Sequence, residues 1–182
     1  MLSQGGDAVD AAVATALVLG VVQPFASGIG GGGFAVVYRA NGSAFALDFR
    51  EVAPALAVQD MYLEPDGTVQ PNASTHGPRA AAVPGELAGL AALHQRHGTL
   101  PWATVVAPAI ALAKKGFRCN RILSEKLVAL QDLIRRSPQL ARQFLDAEGR
   151  PIREGQKILR PQLARTLERI AEDGPNALYD GP

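Results

Sequence analysis

A run of glycines that leads into a β-hairpin ending at an arginine constrains this 182-residue chain more than any other feature. The run consists of four consecutive residues, Gly30, Gly31, Gly32 and Gly33. Two apolar segments follow, 34–40 and 43–50, and Asn41-Gly42 separates them. This dipeptide is typical of a type I′ turn, which requires positive φ at both central positions. The sequence therefore predicts a hairpin with a two-residue loop.

A two-residue loop determines which residues of the two strands lie opposite each other. The predicted pairs are Ala40 with Ser43, Tyr38 with Phe45, Val36 with Leu47, Phe34 with Phe49, and Gly33 with Arg50. The large apolar side chains then share one face, and small residues fill most of the other, so we expect burial on both faces. This register also predicts that Arg50 lies beside the end of the glycine run.

Arg50 is the candidate functional residue, because a partly buried guanidinium needs a partner and its planar fork suits a carboxylate. The residues alone leave two interpretations open: a structural pair with Asp48 on the same face, or a site for a bound carboxylate. We interpret Asp48 and Glu51 as groups that orient Arg50 or cap the loop, not as proton donors. The glycines either allow a close backbone approach or serve conformation only.

The remaining sequence predicts two regions, 1–100 and 101–182. The first contains a buried helix over 7–22, the hairpin, an irregular segment over 52–71, and a helix over 85–96 that Pro84 starts. The second is a helical array with amphipathic segments over 102–115, 121–135 and 162–173 and a short helix over 138–144. The glycine run and the predicted fold pattern do not suit a dinucleotide-binding site. The run leads into a strand, whereas the dinucleotide-binding fingerprint leads from a strand into a helix.

Composition excludes several classes of partner. The net charge of +1 gives no basis for binding nucleic acid or an anionic membrane surface. His76, His94, His97 and the single cysteine, Cys119, do not have metal-ligand spacing, so we expect no metal. The longest apolar stretch, 11–22, is too short to span a membrane.

Seven segments, in this order along the chain, resemble the γ-glutamyltranspeptidases, which are also called glutathione hydrolases. They are GGDAVDAAVA (5–14), GIGGGGF (28–34), DFRE (48–51), VPGELAG (83–89), HGTLPW (97–102), PAIALAKKGF (108–117) and IAEDGP (170–175). The resemblance extends over nearly the whole chain. It implies an α+β fold that is part of the αββα sandwich of the N-terminal-nucleophile hydrolases.

The resemblance also implies a division of the active site. Family members are precursors that cleave themselves into a large and a small subunit, and this chain resembles the front of the large subunit. The threonine nucleophile is the first residue of the small subunit, so we expect no catalytic residue here and an inactive isolated chain. Arg50 matches the family's arginine that binds the substrate α-carboxylate.

The activity implied is acyl transfer without a metal or organic cofactor. The threonine forms a γ-glutamyl-enzyme from glutathione or a similar donor, and water or an amino acid or peptide then takes the acyl group. The partners implied are these compounds and the small subunit of the same precursor. The location implied is periplasmic or extracellular, although the chain contains no signal peptide.

Two other readings of the sequence stay open. One is a related hydrolase of the same superfamily that acts on another amide, such as a cephalosporin acylase or a capsule-peptide depolymerase. The other is a chain without catalytic function, either a remnant or a binding module.

Overall fold

A computed structural model describes residues 1–180 of the chain. In chain order its main elements are α1 (Ala8–Val22), β1 (Gly33–Tyr38), β2 (Ala44–Phe49), α2 (Glu86–His97), α3 (Trp102–Lys115), β3 (Phe117–Arg118), α4 (Arg121–Ala129), α5 (Gln131–Arg136), α6 (Pro138–Phe144), β4 (Lys157–Ile158), α7 (Pro161–Asp173) and α8 (Asn176–Tyr179). They divide into two compact units: Ile29–Gly89 is one, and Met1–Gly28 with the described chain from Leu90 onwards is the other.

Helix α3 is the centre of the larger unit, where it packs against both α1 and α7. Each of the three helices contributes a stripe of fully or almost fully buried apolar residues: Val13, Leu17 and Val21 from α1, Val105, Val106, Ala109 and Ala113 from α3, and Ala164, Leu167 and Ile170 from α7. The stripes of α3 and α7 have the helical spacing from which the sequence predicted these two helices.

The carboxylate of Asp10 joins the start of α1 to the segment that precedes α3. Asp7 caps α1 by accepting hydrogen bonds from the N–H groups of Val9 and Asp10. Asp10 completes this capping box by accepting from the N–H of Asp7 at 2.9 Å. The same carboxylate accepts from the N–H of Thr99 at 3.1 Å and from its hydroxyl at 2.7 Å. The chain around Thr99 is thereby fixed to the first turn of α1.

A second apolar cluster of this unit is formed by shorter elements: Cys119, Leu123, Leu127, Ile134, Phe144 and Ile158. The single helix predicted over 121–135 is wrong, because Leu130 leaves helical geometry at ψ 10° and divides it into α4 and α5. The chain turns there, and both helices still contribute residues to the same cluster. The strands β3 and β4, which pair antiparallel, were not predicted because two residues cannot show alternation.

The smaller unit contains the hairpin β1–β2, the irregular segment that follows it and the beginning of α2. The irregular segment contains isolated antiparallel β-bridges, which pair Val52 with Val83 and Leu63 with Val69. Helix α2 begins at Glu86, two residues after Pro84, so proline precedes the first helical turn and does not start it.

The predicted hairpin register is wrong by one residue. The strands pair Gly33 with Phe49, Phe34 with Asp48, Ala35 with Leu47, Val36 with Ala46, Val37 with Phe45, and Tyr38 with Ala44. The loop has three residues, 40–42, because Arg39 N–H donates to Ser43 O and Gly42 N–H donates to Arg39 O. Of the two turn residues only Gly42 has positive φ, at 84°, which is typical of a type I turn followed by a left-handed glycine.

The corrected register changes the two faces of the hairpin. Phe34, Val36 and Tyr38 lie together on a face where they are 66%, 77% and 75% exposed. Phe45, Leu47 and Phe49 lie on the opposite, partly buried face. The predicted common core face of all six residues is therefore wrong. We call the surface formed by Phe34, Val36 and Tyr38 the apolar hairpin face.

Candidate substrate-binding site

Arg50 follows directly after the last residue of β2, and its neighbours in sequence determine its local geometry. The backbone N–H of Arg50 donates to Asp48 Oδ1 at 2.9 Å. Asp48 thus binds the backbone of Arg50 in an Asx turn and not its guanidinium. The structural ion pair between Arg50 and Asp48, one of the two interpretations from sequence, is absent from the described chain.

The carboxylate that does contact the guanidinium belongs to Glu51. Arg50 Nε donates to Glu51 Oε2 at 2.9 Å, with side-chain exposures of 61% for Arg50 and 27% for Glu51. The backbone N–H of Glu51 itself and the hydrogen bond from Arg50 hold the pKa of Glu51 below its ordinary value. Glu51 is therefore an ionised acceptor at neutral pH, which does not suit a proton donor.

The outer edge of the guanidinium is open. Among residues 1–180, neither Nη1 nor Nη2 of Arg50 donates to a protein acceptor. The Cζ atom lies 5.8 Å from the centroid of the Phe34 ring, within the range of a cation–π contact. Glu51 and Phe34 thus hold one side of the group, and the two Nη groups can both donate to one incoming carboxylate.

The glycine run lies beside this arginine, but its members differ in what they contact. Gly31 O accepts from the N–H groups of Gly85 and Glu86, each at 2.9 Å. A Cβ added to Gly32 would lie 2.5 Å from Phe49 O, whereas one added to Gly30 would meet nothing within 4 Å. A Cβ on Gly33 would lie 3.1 Å from the Phe49 ring. Positive φ is absent from all four positions, so close approach, and not left-handed backbone, accounts for Gly32.

Two features of the unit Ile29–Gly89 did not follow from the sequence. The hydroxyl of Thr75 lies 2.8 Å from His76 Nδ1, a hydroxyl–imidazole contact on an exposed loop. Gly85 and Gly89 at the start of α2 both contact the Phe49–Arg50 segment. The available signal for the glycines was the segment VPGELAG, whose resemblance to the family did not indicate which residues it contacts.

The described residues contain no cluster of three or more histidine, cysteine, aspartate or glutamate side chains that could hold a metal ion. Within residues 1–180, no helix combines the length and the apolar character that crossing a bilayer requires.

Comparison with solved structures defines the class of fold. The chain is 39% identical to the γ-glutamyltranspeptidase of Helicobacter pylori, with a TM-score of 0.94 over 98% of this chain and 51% of that one. A cephalosporin acylase from Bacillus halodurans is 28% identical, with a TM-score of 0.82 over 99% of this chain and 34% of that one. The α+β class predicted from sequence is confirmed, as part of the N-terminal-nucleophile hydrolase fold.

Sequence comparison defines the family. The family model described as gamma-glutamyltranspeptidase matches residues 1–182. The glutathione hydrolase proenzymes of Pseudomonas aeruginosa and Escherichia coli are 44% and 38% identical over 181 residues, which is all of this chain and 31% of each relative. The chain belongs to the γ-glutamyltranspeptidase family, and it spans about a third of the length of these relatives.

Proposed function

We propose that this chain is the donor-binding part of an enzyme that cleaves γ-glutamyl amides, a γ-glutamyltransferase or glutathione hydrolase. The observation that carries the proposal is the arginine whose Nε is held by Glu51 while both Nη groups stay open. A γ-glutamyl donor has an α-carboxylate remote from the amide that reacts, and this carboxylate fits the open edge of Arg50. The names of the relatives, glutathione hydrolase proenzymes, support the same substrate class.

In this proposal Arg50 orients the donor, and the chemistry occurs on residues outside the chain. Binding of the α-carboxylate fixes one end of the donor, so that its γ-carbonyl meets a threonine nucleophile at the start of the small subunit. The threonine attacks the carbonyl, the amine leaves, and a γ-glutamyl-enzyme forms. Water or the amine of an amino acid or peptide then takes the γ-glutamyl group. Glu51 and Asp48 are proposed to hold Arg50 in place during both steps.

The proposed partner of this chain is the small subunit of the same precursor. The apolar hairpin face of the unit Ile29–Gly89 supports this. Its three large side chains, at every second position of β1, are exposed, and exposed apolar surface of this kind is typical of a protein–protein contact. The word proenzyme in the names of the relatives also agrees with a cleaved precursor. A periplasmic or extracellular location is part of the same proposal.

Replacement of Arg50 by lysine in the full-length protein that carries this sequence tests the proposal. An ammonium group cannot reproduce the two parallel hydrogen bonds, so we expect the KM for γ-glutamyl p-nitroanilide to rise about tenfold or more, with a smaller change in kcat. Arg121→Lys is the matched control, because Arg121 is also exposed and paired with a glutamate, Glu125, at 2.7 Å. An unchanged KM in Arg50→Lys would contradict the assignment.

A second candidate function is hydrolysis of another amide by the same superfamily mechanism. The likeness to the cephalosporin acylase favours it. The Bacillus anthracis transpeptidase CapD shows that the fold also occurs outside the γ-glutamyltranspeptidases by name; it is 33% identical, with a TM-score of 0.80 over 99% of this chain and 55% of that one. Faster turnover of glutaryl amides than of γ-glutamyl p-nitroanilide would support this candidate over the first.

A further inference from the structure

Glycines from two separate parts of the chain enclose the peptide group between Phe49 and Arg50. A Cβ added to Gly32 would lie 2.5 Å from Phe49 O, 2.9 Å from Glu51 N and 3.0 Å from Arg50 Cα. A Cβ added to Gly85 would overlap the same carbonyl oxygen of Phe49 and would lie 2.8 Å from Arg50 O. The peptide is thus held between the glycine run and the start of α2.

The enclosure is rigid because its contacts are made by backbone atoms. A clash with the far end of a side chain can be relieved by a change of rotamer, but a clash with a peptide carbonyl requires the chain to move. The two N–H groups that donate to Gly31 O tie the start of α2 to the glycine run. An additional methyl group at Gly32 or Gly85 must therefore displace the segment that carries Arg50.

We propose that Gly32 and Gly85 are positioning residues that set the location of the Arg50 guanidinium, and through it the selectivity for donors with an α-carboxylate. The inference rests on the proposed function, in which Arg50 binds this carboxylate. Bidentate binding tolerates little displacement, because both Nη groups must meet the two carboxylate oxygens at once. The glycines would thus act on specificity without contacting the substrate.

A pair of donors separates positioning from a general loss of folded protein. The first is γ-glutamyl p-nitroanilide, and the second is 4-aminobutanoyl p-nitroanilide, which has the same chain and amine but lacks the α-carboxylate. The ratio of their kcat/KM values does not depend on how much of the enzyme is folded. A displaced Arg50 lowers the ratio, whereas a merely destabilised protein loses both activities equally.

The experiment measures this ratio in the full-length protein for Gly32→Ala, Gly85→Ala, Gly33→Ala and Arg50→Lys. We expect the ratio to fall about tenfold for Gly32→Ala and Gly85→Ala, similar to Arg50→Lys. Gly33→Ala should give a smaller decrease, about two- to threefold, because its Cβ would meet only the ring of Phe49, at 3.1 Å. Gly98→Ala is the control for steric damage, since its Cβ would lie 2.8 Å from the backbone oxygen of His94 in the other unit. Its ratio should equal that of the parent.

The outcomes distinguish the inference from the function on which it rests. A normal ratio in Arg50→Lys would refute the proposed function and the inference with it. A reduced ratio in Arg50→Lys, combined with the parental ratio in Gly32→Ala and Gly85→Ala, would refute the inference alone. If both of those variants fail to fold, Gly33→Ala decides: a reduced ratio supports positioning, and the parental ratio overturns it.

Discussion

Replacement of the buried Asp10 by asparagine should destabilise the unit that contains α1, α3 and α7. Asp10 is fully buried, and its carboxylate accepts from the N–H groups of Asp7, Thr99 and Leu100 as well as from the hydroxyl of Thr99. An asparagine of the same shape keeps one oxygen and turns an NH₂ group toward these donors. At least two hydrogen bonds to a charged acceptor are then lost, at about 1.5 kcal/mol each. We expect the free energy of unfolding to fall by about 3 kcal/mol at pH 7.

The pH dependence of this loss gives a second, independent test. Burial by itself raises the pKa of Asp10, but the hydrogen bonds from Thr99, Asp7 and Leu100 outweigh it and lower the pKa from 3.8 to about 2. Because the pKa is lower in the folded state, the carboxylate stabilises the fold above about pH 4, and this stabilisation disappears as the pH falls toward 2. Its magnitude is about 2 kcal/mol. The difference between parent and Asp10→Asn should thus shrink from about 3 to about 1 kcal/mol.

The chain's one tryptophan is a suitable probe for this measurement. Trp102 Nε1 donates to Ile170 O at 2.9 Å, and the indole ring lies 5.3 Å from the ring of His94, whose Nε2 is 3.3 Å from Asp10 Oδ1. Urea unfolding followed by fluorescence therefore reports on the packing around Asp10. Other carboxylates with lowered pKa values, such as Asp66 and Asp146, titrate in both proteins and cancel in the difference.

The control is Asp132→Asn, which removes the same charge from a side chain that is 85% exposed. Its ion pair is a long one, with Asp132 Oδ1 3.4 Å from Arg135 Nη1. We expect a change of less than about 0.5 kcal/mol there. A loss below about 1 kcal/mol for Asp10→Asn at pH 7, or a difference that stays constant between pH 7 and pH 2, would refute the reasoning.

Two further substitutions test the packing of the same unit. Arg160 Nη1 donates to Gly20 O at 2.7 Å and to Val21 O at 3.0 Å, at the last turn of α1. Arg160→Leu should therefore lower the free energy of unfolding in urea by about 2 kcal/mol. An unfolding midpoint equal to that of the parent would contradict this role. The side chain of Leu17 in α1 is only 2% exposed. Leu17→Ala should lower the free energy of unfolding by about 3 kcal/mol and lower the thermal midpoint. A loss below about 1 kcal/mol would show that the site collapses around the smaller side chain.

The helices were predictable where their ends carry chemical signals. Asp7 before α1 and Gly116 after α3 stand at the expected boundaries, because each supplies a cap that depends on residues close in sequence. The division of α4 from α5 was not predictable, since the residues around Leu130 contain neither proline nor glycine. The tie between Asp10 and Thr99 joins residues 89 positions apart, and no local pattern indicates such a contact.

The hairpin shows how a correct local signal can lead to a wrong register. Asn41-Gly42 does mark the turn, but the side chain of Asn41 accepts hydrogen bonds from the N–H of Ser43 at 3.0 Å and from its hydroxyl at 2.7 Å. This Asx geometry leaves the positive φ to Gly42 alone, so the loop gains one residue. Because side chains alternate along a strand, a shift of one residue brings different side chains together on each face.

The same shift explains why Arg50 is still found beside the glycine run. With Gly33 opposite Phe49, the next position along β2 comes level with Gly32 and not with Gly33. Gly32 is the member of the run whose added Cβ would overlap the Phe49–Arg50 backbone, whereas Gly33 would meet only a ring. The prediction that Arg50 lies beside the glycine run is correct although the register is wrong, because both registers bring a glycine to Arg50. Only the observed register brings Gly32 beside Arg50, and replacement of Gly32 must move the backbone. For this reason we expect Gly32 to affect donor selectivity more than Gly33.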